Sequence, residues 1–336
     1  MDSSVNNNEA TCEQMAPRTS VLIATYNRAA VLRDTLEAML GLDVPSGGFE
    51  LIVIDNNSPD NTKEVCESYK GKLPLHYLFE PRQGKNCALN AGLAIAKGQF
   101  LVFTDDDVSP FPDWLCELVR AAERFSDTLV FGGPFFEQCV GSVPSFVLEA
   151  VMGTFYLGSY EPRPDTGPYP PRHSPPGVNL AIRRKVFREL AYRYNESIGP
   201  RGDGRISGSE SELLLRLNKD GISMIHVASA KVYHRWYPHQ FEYRLLIRKA
   251  FGFGRGDARL YGPDSHIASV FGVPRYLIRK AVVEFFKGVA ATVSLNKIGS
   301  MYSALRLARF MGIAYESFKQ RKSATQPPSR DLRQHR

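Results

Sequence analysis

The sequence is short of several features that would assign it at once. Its five cysteines, at positions 12, 66, 87, 116 and 139, form no C-x-x-C pair and no metal-ligand spacing. That excludes a disulfide framework or a zinc knuckle and favours a reduced, cytoplasmic chain. Long apolar runs are missing too. The best candidate, AVVEFFKGVAATVSL over residues 281–295, carries Glu284 and Lys287, and it falls short of the roughly 20 largely uncharged residues that a spanning helix needs. The opening stretch MDSSVNNNEATCEQMAPRT has no apolar segment of the secretory kind, so residues 1–18 are expected to be a disordered lead-in.

Acidic residues are scarce at one end only. Residues 231–336 hold 20 Lys and Arg against 6 Asp and Glu, whereas residues 1–230 hold 22 against 29. A basic half suits nucleic acid, anionic lipid or a phosphorylated ligand. Nucleic acid is set aside, because neither an RNA-binding signature nor a basic stripe interleaved with aromatic residues accompanies the charge.

What the chain does have is alternation. Short β-rich runs alternate with helical patterns: SVLIAT (20–25) then AAVLRDTLEAML, ELIVID (50–55) then a helix opened by Ser58 and Pro59, LHYLFE (75–80) then KNCALNAGLAIAKG, FLVFTD (100–105) then DWLCELVRAAERF, and TLVFGG (128–133). Strands of about six apolar residues, each followed by ten or more of helical period, predict an α/β fold with a mostly parallel sheet and flanking helices. Asn27 and Ser58 are expected N-caps, Pro59 a first helical residue and Gly98 a left-handed stop. In such sheets the ligand crevice lies at the carboxyl ends of the strands. The polar clusters fall there: TYNR after the first strand, DNNS after the second and TDDD after the fourth.

Beyond residue 140 the pattern changes. Residues 160–177 are dense in Pro and Gly and predict an irregular flap. VNLAIRR predicts a strand entering a helix, residues 199–208 a Gly-rich loop, SELLLRLNKDG a capped helix and MIHVASAKVYH a strand run. The expected organisation is a catalytic domain over 19–237, a basic helical region over 238–322 and a disordered tail over 323–336.

Asp105, Asp106 and Asp107 stand side by side at the mouth of a buried strand, where they repel one another unless a cation or hydrogen-bond donors offset them. A solvated loop that caps the next helix is the plain alternative. Five motifs in order, SVLIATYNR, ELIVIDNNS, QGKNCALNAG, FLVFTDDDVSPFPDWL and GSESELLLRL, make residues 19–237 resemble the family 2 glycosyltransferases of the GT-A fold. The resemblance implies an inverting, metal-dependent transfer from a nucleoside diphosphate sugar, a UDP-sugar before others, to a hydroxyl acceptor.

It also implies roles for residues. Asp105, seven positions before Pro112, would contact the nucleotide ribose, and Asp107 would bind a divalent cation, Mn2+ or Mg2+, with Asp106 the variable middle position beside the nucleotide. A hard cation of this kind takes few carboxylates and completes its shell with phosphate oxygens and water. Thr25 and Tyr26 match the turn that approaches the base, Arg28 would assist with phosphate charge, and Asp55 would accept a hydrogen bond from the base. Lys85 would contact the nucleotide or its phosphates. Asp55 also reads as an Asx turn, and Lys85 as a surface lysine at a helix start.

GSESEL is similar to the family's GEDxEL, which places the general base at Glu210. Ser209 and Glu210 depart from that pattern, so the carboxylate sits on a longer stem. A sugar hydroxyl is a poor nucleophile at neutral pH, and a carboxylate that takes its proton is what the reaction needs. His234 is expected either as a further metal or diphosphate ligand or as a structural histidine at a strand end. Asn179, Trp236 and Arg244 are expected near the acceptor or the phosphates by position.

Residues 273–320 show apolar stripes beside Arg275, Arg279, Lys280, Lys287, Lys297, Arg306 and Arg309. Such helices either lie in an anionic membrane surface or pack on the core with a solvated basic face. The first option favours a lipid-linked glycan as acceptor and a peripheral position on the cytoplasmic face of the membrane. Two other classes stay open. A nucleotidyltransferase uses similar carboxylates but begins with a Gly-rich basic loop that IATYNR lacks, and a catalytically silent nucleotide-sugar-binding protein fits the altered GSESEL.

Overall fold

The apolar runs of the first hundred residues are buried on both faces, which makes the sheet the middle layer of the molecule. The computed structural model describes residues 18–152, 154, 158–201, 204–262, 269–270 and 273–325. Strands β1 (Thr19–Thr25), β2 (Phe49–Asp55), β3 (Leu75–Phe79) and β4 (Phe100–Thr104) run parallel in the order β3-β2-β1-β4. Side chains alternate between faces along a strand. Val21, Ile23, Leu51 and Val53 therefore pack under helices α1 (Ala29–Met39) and α2 (Thr62–Ser68). Leu22, Ile52 and Ile54 face the other way, onto Ala88, Leu89 and Leu93 of α3 (Lys85–Ile95).

The second half of the sheet is mixed. After β4 come β5 (Val108–Pro110), α4 (Trp114–Arg124), β6 (Val130–Gly132), β7 (Phe135–Cys139), α5 (Ser145–Met152) and the two-residue β8 (Gly167–Pro168). They are followed by β9 (Leu180–Arg183), α6 (Lys185–Arg188), the hairpin of β10 (Gly199–Arg201) and β11 (Gly204–Ile206), α7 (Ser209–Lys219), β12 (Met224–His226) and β13 (Val232–Trp236). The large sheet runs β3-β2-β1-β4-β9-β6-β12-β8, with β9 antiparallel to both β4 and β6. A second sheet runs β5-β13-β7.

Several local expectations change, and Pro59 is not a first helical residue, since α2 starts at Thr62. The run MIHVASAKVYH is not one strand: a turn from Val227 to Ala230 splits it, leaving β12 in the large sheet and β13 in the small one. Ser58 does not cap α2, which begins at Thr62 beyond Asn61, because the Ser58 hydroxyl accepts the Asn27 N–H of the neighbouring loop at 2.9 Å. Asn27 does not cap α1 either, since it adopts φ 53° and Arg28 takes the N-cap place. Gly98 is not a left-handed stop. Helix α3 ends three residues earlier, and a Cβ at Gly98 would lie 2.5 Å from the Ser20 nitrogen, so glycine is required there by backbone approach.

The basic C-terminal part consists of α8 (Tyr243–Tyr261), α9 (Arg275–Val293) and α10 (Lys297–Thr325). Helices α8 and α10 touch through glycines: a Cβ at Gly254 would lie 1.9 Å from the Arg309 carbonyl oxygen, and one at Gly312 2.1 Å from that of Phe251. Val147, Ala150, Leu246, Ala250, Met301 and Leu305 form a separate apolar cluster with α5. Much of the charge is satisfied internally. Buried Glu316 bonds Arg255 at 2.8 Å and Arg259 at 2.7 Å, and Asp257 bonds Arg309 at 2.7 Å. Among the described residues no helix is long and apolar enough to cross a membrane. Of the segments expected to be disordered, 1–17 and 326–336 lie outside the described residues, and 323–325 continue α10.

Candidate active site

The loops that leave β1 and β4 meet β13 and the β10–β11 hairpin around a cavity of about 360 Å³. Thr25, Tyr26, Arg28, Lys85, all three aspartates, His234 and Trp236 line it. The split of the expected strand into β12 and β13 is what brings His234 here. Antiparallel pairing sets His234 opposite Val108, and the Arg235 N–H donates to the Asp107 carbonyl at 2.7 Å.

The three carboxylates differ in their surroundings. Asp106 turns inward: it accepts from the Thr25 hydroxyl at 2.6 Å and meets the Arg28 guanidinium at 2.5 Å, while its carbonyl accepts from the Thr35 hydroxyl at 2.7 Å. Burial pushes its carboxyl up to about 6 against the pull of Arg28. Asp106 therefore braces the loop after β4 against the loop after β1. Asp107 is also buried, and burial alone would raise it, but His234 at 3.2 Å and Arg28 at 2.7 Å hold it well below the usual carboxylate range. Burial lowers and Asp107 raises the His234 imidazole, with a net rise. Asp105 faces the Lys85 ammonium at 2.6 Å.

Lys85 opens α3 and reaches two carboxylates, Asp105 and, at 2.8 Å, Glu210 of α7. Burial would lower its ammonium, but these two neighbours raise it above the ordinary lysine value. Glu210 lies close over Gly177, where a Cβ would come within 2.7 Å of the Glu210 carboxyl carbon and displace that side chain. The fit to a divalent cation rests on the donor set. One ligand atom each from Asp105, Asp107 and His234 lies within 4.8 Å of the others. The buried Asp107 Oδ1 has no hydrogen-bond partner although His234 Nε2 is 3.2 Å away. Two donor groups close together but misaligned for a hydrogen bond suit a shared ion, and carboxylate with imidazole is a set that Mn2+ accepts.

Three expected site residues are not gathered here. Asp55 is buried, accepting from the Ser58 N–H at 2.9 Å and the Tyr77 hydroxyl at 2.8 Å, which is the Asx-turn alternative, and Asn56 lines the cavity in its place. Asn179 is fully buried: it accepts from the Trp114 indole at 2.9 Å and donates to the Pro134 and Ala230 carbonyls at 2.9 and 2.7 Å. Its amide is consumed in tying the 3-10 turn over Gly177–Asn179, just before β9, to the small sheet. Arg244 is exposed on the first turn of α8, and the cavity wall is supplied instead by Lys249 one and a half turns on.

Lys249 and Arg205 are the residues that the sequence reading missed. Lys249 stands over the Trp236 ring at 4.9 Å, and burial together with repulsion from Arg205 and Arg28 brings its ammonium down to about 7. Neither Lys249 nor Arg205 has a carboxylate partner among the described residues. The only signal was the glycine pattern GFGRG after Lys249, which lets α8 approach the β10–β11 hairpin: a Cβ at Gly256 would lie 2.2 Å from the Ser207 carbonyl oxygen.

Comparison with known proteins agrees with this geometry. Residues 20–191 match the family described as Glycosyl transferase family 2. Glycosyltransferase AglE of Haloferax volcanii is 26% identical over 250 residues, 74% of this chain and 75% of the relative. Glucosyl-dolichyl phosphate glucuronosyltransferase of the same organism is 24% identical over 242 residues, 70% of this chain and 75% of the relative. Among solved structures, mannosyltransferase PcManGT from Pyrobaculum calidifontis, in complex with GDP-Man and Mn2+, superposes with a TM-score of 0.51 at 20% identity, over 93% of this chain and 77% of that one. The common architecture is the GT-A fold.

Proposed function

Because the chain belongs to glycosyl transferase family 2, we propose that it moves one sugar from a nucleoside diphosphate sugar to an acceptor hydroxyl, with inversion at the anomeric carbon. The observation that carries this reading is Lys85, 2.6 Å from Asp105 and 2.8 Å from Glu210. One ammonium joins a carboxylate on the donor side to a carboxylate on the acceptor side, so the two ends of the reaction fit within its reach.

The roles follow from the surroundings. Thr25 and Tyr26 seat the nucleotide, and Asp105 faces its ribose. Asp107 and His234, with Asp105, would hold a divalent cation, Mn2+ or Mg2+, which when bound offsets the charge of the departing diphosphate. Arg28 positions Asp106 and Asp107 for that task. Arg205 and Lys249, cations without carboxylate partners among the described residues, attract the phosphate oxygens. As the diphosphate draws Lys85 toward itself, the Glu210 carboxylate is freed from the ammonium and can face the acceptor hydroxyl. Its carboxylate then takes the proton of the hydroxyl that attacks the anomeric carbon.

A UDP-sugar is the donor we favour, and a lipid-linked glycan at the cytoplasmic face of a membrane the acceptor. The basic C-terminal helices and the dolichyl phosphate substrate named for one relative support the acceptor reading. Residues 19–237 form the catalytic domain in this reading, and 238–322 complete the cavity through Gln240 and Lys249. The alternative is a protein that binds nucleotide sugars without turnover, favoured by Ser209 and the Lys85-bound Glu210. Incubation with labelled UDP-sugars, lipid extract and Mn2+ decides between them. Label in the lipid phase that EDTA prevents is the expected result; donor binding with no label transferred to any acceptor class makes the protein a binder.

A further inference from the structure

Helix α9 turns almost all of its surface outward, for among its 19 residues only Glu284 is buried. Leu277, Ala281, Gly288 and Ala291, which with Glu284 are spaced by three and four, are half-buried against α10. The rest of the helix carries an apolar stripe and a set of cations. Ile278, Val282, Phe285, Phe286, Val289 and Val293 make the stripe, from 40% to 79% exposed. Arg279 borders that stripe, seven residues before Phe286, Lys280 and Lys287 lie farther round the helix, and Arg275 stands at its start. The apolar stripe opens into a groove of about 500 Å³ whose far wall is Leu307, Phe310, Met311 and Ala314 of α10.

We infer that this face docks on an anionic lipid bilayer, with the α9 stripe and the groove at the acyl boundary and Arg275, Arg279, Lys280 and Lys287 among acidic headgroups. The inference goes beyond sugar transfer and stands independently of it. Charge selects the occupant. Those four cations make no ion pair among the described residues, whereas Arg306 and Arg309, which the sequence placed beside them, are taken by Glu284 at 3.5 Å and Asp257 at 2.7 Å. A second copy docked by two-fold symmetry would set the free cations against their own kind, since Glu284, the sole acid of α9, is turned inward. The terminal segments 1–17 and 326–336 contain no Phe, Ile, Tyr or Trp with which to cover the stripe. An apolar stripe beside basic residues, on a helix lying in the interface plane, is the arrangement that headgroups and acyl chains satisfy together.

The test is sedimentation of the full chain with phosphatidylcholine vesicles and with vesicles that also contain phosphatidylserine, at low and high salt. The expected result is binding to the anionic vesicles at low salt and release at high salt. Arg279→Gln with Lys280→Gln and Lys287→Gln should lower the partition coefficient about 10²-fold, at about 5-fold per cation. Phe285→Ser with Phe286→Ser should also weaken binding to the anionic vesicles at low salt, because the apolar stripe no longer enters the acyl boundary. Both variants are checked for the wild-type donor-induced thermal shift, which separates a lost membrane contact from a lost fold or a failed transfer reading. Wild-type protein that stays in the supernatant at low salt overturns the inference. So do variants that bind as wild type does, or self-association without lipid that the Phe285 and Phe286 changes remove.

Discussion

At the carboxyl ends of β1 and β4 every carboxylate faces a cation, while along the outer face of α9 the cations face no carboxylate among the described residues. Asp105, Asp106, Asp107 and Glu210 each lie within 3.2 Å of Lys85, Arg28 or His234. Arg275, Arg279, Lys280 and Lys287 project from a helix whose one acid is buried. Both regions are charged, yet the pairing separates their tasks. In the cleft each carboxylate has a cation that a diphosphate and its metal could replace, while Arg205 and Lys249 stand beside them with no carboxylate partner among the described residues. On α9 solvent screens the cations, which have no carboxylate partner among the described residues and lie open to an external anion.

The comparison is broken most severely at Asp107. Asp107→Ala should lower metal-dependent turnover by about 10³-fold or more, the several kcal/mol that a bound cation supplies to departing charge, with an unchanged circular dichroism spectrum. Turnover that still responds to Mn2+ in this variant would remove Asp107 from the metal set. Glu210→Gln should reduce transfer by about 10² to 10⁴, the range for general-base catalysis, while donor affinity measured by calorimetry stays near wild type. Unchanged transfer would move the base to another carboxylate. Asn179→Ala acts on stability instead. It strands the Trp114 indole N–H and two carbonyls and should cost about 2 to 3 kcal/mol by urea denaturation. A stable variant with a raised acceptor KM would return Asn179 to the acceptor site.

The smallest expected effect sharpens the comparison from the cationic side. Lys249, at about 7, attracts an anion only while protonated, so nucleoside diphosphate affinity should fall as pH rises above 7. Lys249→Arg should flatten that fall. Lys249→Gln should weaken binding several-fold at pH 6 and little at pH 9. Folding linkage has the opposite slope: an unfolded lysine holds its proton up to about 10.4, so the ligand-free protein gains stability from Lys249 as pH rises from 7 toward that value and loses it as pH falls to 7. A wild-type affinity independent of pH between 6 and 9 would show that Lys249 does not meet the phosphates.

What was legible in the sequence follows the same physics. Strands buried on both faces need unbroken apolar runs, so β1, β2 and β4 were plain, and the clustered carboxylates marked the open end of the sheet. Lys249 and Arg205 were not legible because they reach the cavity from a helix and a hairpin that only tertiary packing brings together. Asn179 looked like a site residue because a polar side chain near a flap reads alike whether it lines a cavity or satisfies buried backbone. Asp55 carried two readings, and the Asx turn is the one whose hydrogen bonds the structure shows. The register places Tyr77 opposite Val53, so its ring lies diagonally beside Asp55 on the same face and its hydroxyl takes one carboxylate oxygen.

The central claim is that this cavity binds a nucleoside diphosphate sugar together with a divalent cation, and thermal unfolding tests it most directly. Wild type and Asp107→Ala are melted with UDP-sugars and GDP-mannose, each with Mn2+ or with EDTA. A ligand that binds only the folded state adds about 2.7 kcal/mol at a hundred times its Kd, so at least one donor should raise the wild-type Tm by several degrees with Mn2+ and much less with EDTA, and should leave Asp107→Ala unmoved. Wild-type melting that no nucleotide sugar shifts, with the cation present, would contradict the account.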